Sequence, residues 1–196
     1  MIIVIKEQDR VVVGYSNTDY WNKLTDKDYV DEENVAIKFT DDGTIFACPM
    51  MNALSDLILY DDEILSMNVD PKNIVREIIP SVKETLSKNG KPLDKDGCWK
   101  NNLFIIRNNR AFQIDNSFRF SEIDDSSCKC SMGSVLRSVL DATQNLPAED
   151  RILKAVNFAS TLYKESLFPI VITDTKTKKF KYIYEGEKSS GDYNFV

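Results

Sequence analysis

Few side chains in this sequence could carry chemistry, and the gaps are as informative as the residues present. The chain of 196 residues has no histidine, which removes Ser-His-Asp and Cys-His nucleophilic catalysis and most zinc sites. Its four cysteines, Cys48, Cys98, Cys128 and Cys130, lack the spacing of a disulfide framework and read as free thiols of a reducing compartment. Cys48 closes an apolar run just before Pro49-Met50-Met51. A nucleophilic thiolate there would need the start of the following helix to lower its pKa. Ser16 and Lys38 could serve as a substitute hydroxyl and amine pair. Cys128-Lys129-Cys130 sends two thiols the same way from one strand, as a metal or redox pair would require. With no further ligand in view, packed thiols are the favoured reading. The acidic stretch from Asp26 to Glu33 lacks the alternating ligands and central glycine of a calcium loop and reads as a solvated segment. Tyr15, Tyr20, Trp21 and Tyr29 gather around the same region and suit either a binding surface or a cover for the core. No cofactor or metal site follows from these residues.

The stretch Met1 to Gly14 organises the rest. Met1 to Ile5 and Val11 to Val13 are runs of β-formers around the polar turn Glu7-Gln8-Asp9, which predicts a hairpin starting at the first residue. Chain ends fray unless held, so a terminus of this composition implies an end tied into the fold. Enzymes that work at such an end use the side chain of residue 1 as nucleophile and its α-amine as base. That chemistry takes Thr, Ser or Cys, whereas here Met1 is followed by Ile2 and Ile3. With the chain beginning at Met1 no propeptide is expected, and the bulk of Ile2 disfavours trimming of the methionine. An α-amine alone forms no acyl-enzyme.

The elements that must position these groups follow in order. A second hairpin, Val35 to Phe39 and Thr44 to Cys48, turns at Asp41-Asp42-Gly43. Pro49 opens a helix carrying Met51, Leu54, Leu57, Ile58 and Leu65. Another begins near Pro71 with Ile74, Val75, Ile78, Val82 and Leu86 on one face, and its interior Pro80 predicts a bend or an early stop. Leu103 to Ile106 and Ala111 to Ile114 form a hairpin around Asn108-Asn109, and Phe118 to Phe120 and Ser127 to Cys130 read as short strands. A third helix enters through Ser131-Met132-Gly133-Ser134 with Val135, Leu136, Val139 and Leu140 buried. The fourth starts at Pro147 and turns Ile152, Ala155, Val156, Ala159 and Leu162 inward. Ile170 to Thr173 and Phe180 to Tyr184 close the pattern. Strands in blocks with short turns imply antiparallel sheets with helices on the outer faces. The expected architecture is α+β: two sheets stacked face to face, each flanked by a helix pair, in one domain over residues 1–184 with a polar tail at 185–196.

This order resembles the proteasome β-subunit and the HslV peptidase, members of the N-terminal nucleophile (Ntn) hydrolase fold, a four-layer αββα sandwich. The resemblance runs from Met1 to about Tyr184. It is carried by Ile2-Ile3-Val4-Ile5 with Val11-Val12-Val13-Gly14, and by the block Cys130 to Ile172 with its Gly-Ser element entering two helices. Carried over position by position, Met1 falls at or just after the family's nucleophile. The family's acid falls near Ser16, with Asp19 close by. The family's lysine falls at Val35 or Ala36, and Lys38 matches only in a different register, where an odd shift turns the side chain to the other face. Ser131-Met132-Gly133 sets Met132 where the helper serine belongs, and Glu165 matches the acid at the end of the fourth helix.

With a net charge of −6 and scattered lysines and arginines, nucleic acid is not an expected partner. No apolar run has the length of a bilayer span and no basic leader precedes one, so no membrane partner and a cytoplasmic location are expected. The resemblance implies a homo-oligomer and a peptide or protein partner. Without the nucleophile, its lysine or the helper serine, it implies a pseudoenzyme that binds or assembles. The alternative is an amide or peptide hydrolase with a relocated nucleophile, Cys48 or Ser16.

Overall fold

The computed structural model describes residues 1–16, 36–49, 52–91, 93, 95–164 and 166–186. Val35, Met50, Met51, Glu165, the acidic and aromatic stretch from Asp19 to Glu33, and residues 187–196 of the tail lie outside them.

Two antiparallel sheets of five strands face each other. Sheet A runs β10-β9-β2-β1-β8 and sheet B runs β3-β4-β5-β6-β7. In sheet A, β1 (Ile2–Lys6) lies between β2 (Val11–Tyr15) and β8 (Ser126–Lys129), and β9 (Ile170–Asp174) and β10 (Lys181–Ile183) extend the other side. Sheet B is a meander of β3 (Ile37–Phe39), β4 (Ile45–Ala47), β5 (Leu103–Arg107), β6 (Arg110–Ile114) and β7 (Phe120–Ile123).

Alternation along each strand sorts the side chains into layers. Ile2, Val4, Val11, Val13 and Tyr15 point between the sheets, and Ile3, Ile5 and Val12 point away from sheet B into a separate apolar cluster. In that outer cluster sit α5 (Gly133–Ala142) and α6 (Ala148–Tyr163). Gly14 lies where α6 comes nearest: a Cβ there would meet Ile152 Cγ2 at 2.8 Å, so only glycine admits the helix at this spacing. Between the sheets, Ser127 Oγ of β8 donates to Gln113 Oε1 of β6 at 2.9 Å. That bond identifies the inward face of β6, and the ladder registers carry the same face to Phe104, Ala47 and Ile37.

Outside sheet B pack α1 (Ala53–Leu59), α2 (Asp62–Leu65), α3 (Pro71–Asn73), a π turn (Ile74–Ile78) and α4 (Ile79–Lys88). The single helix expected from Pro49 to Leu65 is two. Asn52 caps α1 through Leu54 N at 2.9 Å and Ser55 N at 3.1 Å, and Asp61 caps α2, because short polar side chains compete for the orphan amides of a helix start. Pro80 does not stop its helix, which runs on to Lys88. The π turn just before it loosens the ladder where proline supplies no N–H and crowds the carbonyl four residues back. Val75 and Leu162, expected inside, are exposed. The strand expected at Phe118 starts at Phe120, since Phe118 takes φ +61° in a turn where its N–H donates to Asp115 O.

Candidate functional site

The amino end closes one edge of the sandwich. Ser16 N donates to Met1 O at 3.0 Å and the Met1 ammonium donates to Ser16 O at 2.5 Å, a reciprocal pair that extends the β1–β2 ladder. The same ammonium donates to Pro49 O at 2.7 Å. Since Pro49 follows β4, this bond ties the end of sheet A to sheet B. Charge-assisted hydrogen bonds of this kind each stabilise by about 1.5–3 kcal/mol. Neither carbonyl acceptor is specified by a side chain, so the sequence carried no signal of them.

Met1 has the parity of Ile3 and Ile5, and its side chain packs on the α5–α6 cluster. Ser16, the residue after β2, lies beside it, fully buried, with its hydroxyl donating to Leu167 O at 2.6 Å. Met132, the residue before α5, is 8% exposed and joins the same cluster. Cys128 and Cys130 face the same way, as their two-residue spacing predicts, and Cys128 Sγ donates to Gly133 O at 3.2 Å. Burial pushes both thiols up; for Cys130 the Met132 amide and the Met1 ammonium pull the other way. Met1, Ser16 and Met132 therefore meet in one layer.

Lys38 and Cys48 do not join them. Lys38 pairs with Phe46 on the outward face of sheet B, and its Nζ lies 4.6 Å from the Tyr60 ring centroid in cation–π contact. It sits on the far side of both sheets from the Met1 side chain. Ala36, the other position for the family's lysine, is a buried core residue whose carbonyl accepts from Cys48 N at 2.9 Å. Cys48 is fully buried, and burial, reinforced by Asp56, pushes its thiol far up, away from thiolate chemistry. Among the described residues, no three His, Cys, Asp or Glu side chains converge as metal ligands, and no helix is long and apolar enough to cross a membrane.

Two stacked antiparallel sheets with helices on both outer faces and an amino terminus locked at one edge define an α+β Ntn-hydrolase fold. Within it the architecture is that of the proteasome β-subunit and HslV. The chain is similar to Thiobacillus denitrificans BPH, solved in complex with Epoxomicin, at 17% identity over 88% of this chain and 96% of that one, with a TM-score of 0.67. It is similar to Anbu, the ancestral β-subunit from Yersinia bercovieri, at 12% identity over 94% and 87%, TM-score 0.60. It is similar to HslV from Trypanosoma brucei at 12% identity over 88% and 97%, TM-score 0.56. No protein-family model and no curated protein matches the sequence.

Proposed function

We propose that this chain keeps the proteasome-like scaffold as a non-catalytic subunit of a homo-oligomer, residues 1–184 forming one domain that binds a peptide or protein partner. The observation that carries this reading is the sulfur and carbon chemistry of its edge. Met1, which the resemblance puts at or just after the family's nucleophile, and Met132, which it puts at the helper serine, both carry thioethers. Neither holds a proton for a base to remove, and losing one member of such a constellation already costs orders of magnitude in rate. The Ser16 hydroxyl is committed to the Leu167 carbonyl, and Lys38 faces Tyr60 instead of the edge. Both features weigh against turnover.

Intact-mass measurement after incubation with a peptide β-lactone tests the reading. No adduct is expected. A single stoichiometric adduct mapped to Ser16 or Cys48 would overturn it in favour of a hydrolase with a relocated nucleophile. Native mass spectrometry tests the assembly: a multiple of 22.4 kDa is expected, and a monomer alone at micromolar concentration would remove the oligomer.

A further inference from the structure

We propose that Cys128 and Cys130, with the thioethers of Met1 and Met132, form a binding site for a soft monovalent cation, Cu(I), at the edge of sheet A. The inference is independent of whether the chain hydrolyses anything.

The placement follows from register. Ile2 pairs with Lys129 and Ile3 with Cys128, so Met1 and Cys130 are the residues just beyond the last pair of the ladder, and the Met1 ammonium lies near enough to the Cys130 thiol to favour its ionised form. Cys128 is one step along the same face, level with Ile3. Met132 immediately precedes α5, and all four side chains pack into the same apolar cluster with α5 and α6. Four sulfur-bearing side chains thus meet one apolar layer beneath the two helices. Met1 and Cys130 are half-buried and open to solvent, whereas Cys128 at 4% and Met132 at 8% exposure are sheltered.

This ligand set selects the ion. Zinc takes closed sets of Cys, His and carboxylate, and two thiols without histidine fall short of one. Thiolate and thioether are soft donors that favour Cu(I), which accepts low coordination numbers, so two thiolates suffice and either methionine completes the set. On binding, two S–H bonds break, both protons leave to solvent, two Cu–S bonds form and copper remains monovalent. Cys128 gives up its hydrogen bond to Gly133 O. The dithiolate complex carries one negative charge, which the neighbouring Met1 ammonium offsets.

The test is anaerobic titration of the full chain with Cu(I) supplied as its acetonitrile complex, in competition with bathocuproine disulfonate. One equivalent is expected to bind. Cys130→Ser and Cys128→Ser should abolish binding, and Met132→Leu should weaken it by about tenfold, the scale of a supporting partner at a metal site. The double variant Cys48→Ser/Cys98→Ser should bind as the parent does. Cys130 is only partly buried, so its serine variant keeps the fold, checked by far-UV circular dichroism. Failure of the parent to bind, binding that survives Cys130→Ser, or uptake of Zn(II) in preference to Cu(I) would each overturn the proposal.

Discussion

Replacing Gly14 by alanine puts a single methyl group into the closest approach between sheet A and its helices. The added Cβ would stand 2.8 Å from Ile152 Cγ2 and 3.3 Å from Cδ1, against about 3.5–4.0 Å for carbons in contact. Ile152 is fully buried, as are Ala148, Ala155, Val156 and Ala159 along the same helix, so α6 cannot rotate away cheaply. Overpacking of this kind costs about 1–3 kcal/mol, and the stiffer unfolded chain returns about 0.4–1 kcal/mol. The net expectation is a loss of about 1–2 kcal/mol, or about 2–8 °C in Tm for a domain of this size. Ile152→Ala alone should cost about 2–5 kcal/mol through the cavity it leaves. In the double variant the alanine methyl at position 14 occupies part of that cavity, so urea denaturation of all four proteins should return a favourable coupling of about 1–2 kcal/mol. A neutral Gly14→Ala, or costs that simply add, would refute the account of why this strand carries glycine.

Ser127→Ala should destabilise by about 1–3 kcal/mol, because Gln113 Oε1 loses its partner between the sheets; adding Gln113→Met should recover most of the loss in urea melts. For Asp174, burial alone would raise the carboxyl, but the Thr177 amide and hydroxyl, the Lys176 amide and Arg10 together hold it below its ordinary value. A depressed folded pKa stabilises above the unfolded value of about 3.9. That contribution is lost as pH falls through the folded value, so the urea midpoint of Asp174→Asn should vary less than the parent's from about pH 4 downward.

Strand order and turn chemistry were legible wherever local residues decide the geometry. Ile and Val runs fixed β1 and β2, and Asp42-Gly43 marked a tight turn where Gly43 takes φ +82°. The misses have separate causes. Phe118 reads as a β-former, but stacking on Trp99 at 5.7 Å and the Asp115 turn hold it left-handed. Val75 and Leu162 fit a helical period yet face outward, since periodicity states which residues share a face and not how wide the buried stripe is. At the edge, the residue types at Met1 and Met132 were plain from sequence. That Lys38 turns to Tyr60, and that the ammonium finds Pro49 O, depends on strand parity and on carbonyls that no side chain announces.

The two sheets differ in when their strands become available. Sheet B is assembled from neighbours in sequence, β3 through β7, and all of its strands are present once Ile123 has been made. Sheet A recruits both ends of the chain: β1 waits for β8, and Val12 of β2 waits for Asp174 of β9. During synthesis the β1–β2 hairpin therefore stays without its flanking strands until β8 and β9 have been made. Such long-range closures are slow and leave strand edges open to wrong partners, so the β1–β2 hairpin is exposed to mispairing for as long as it waits.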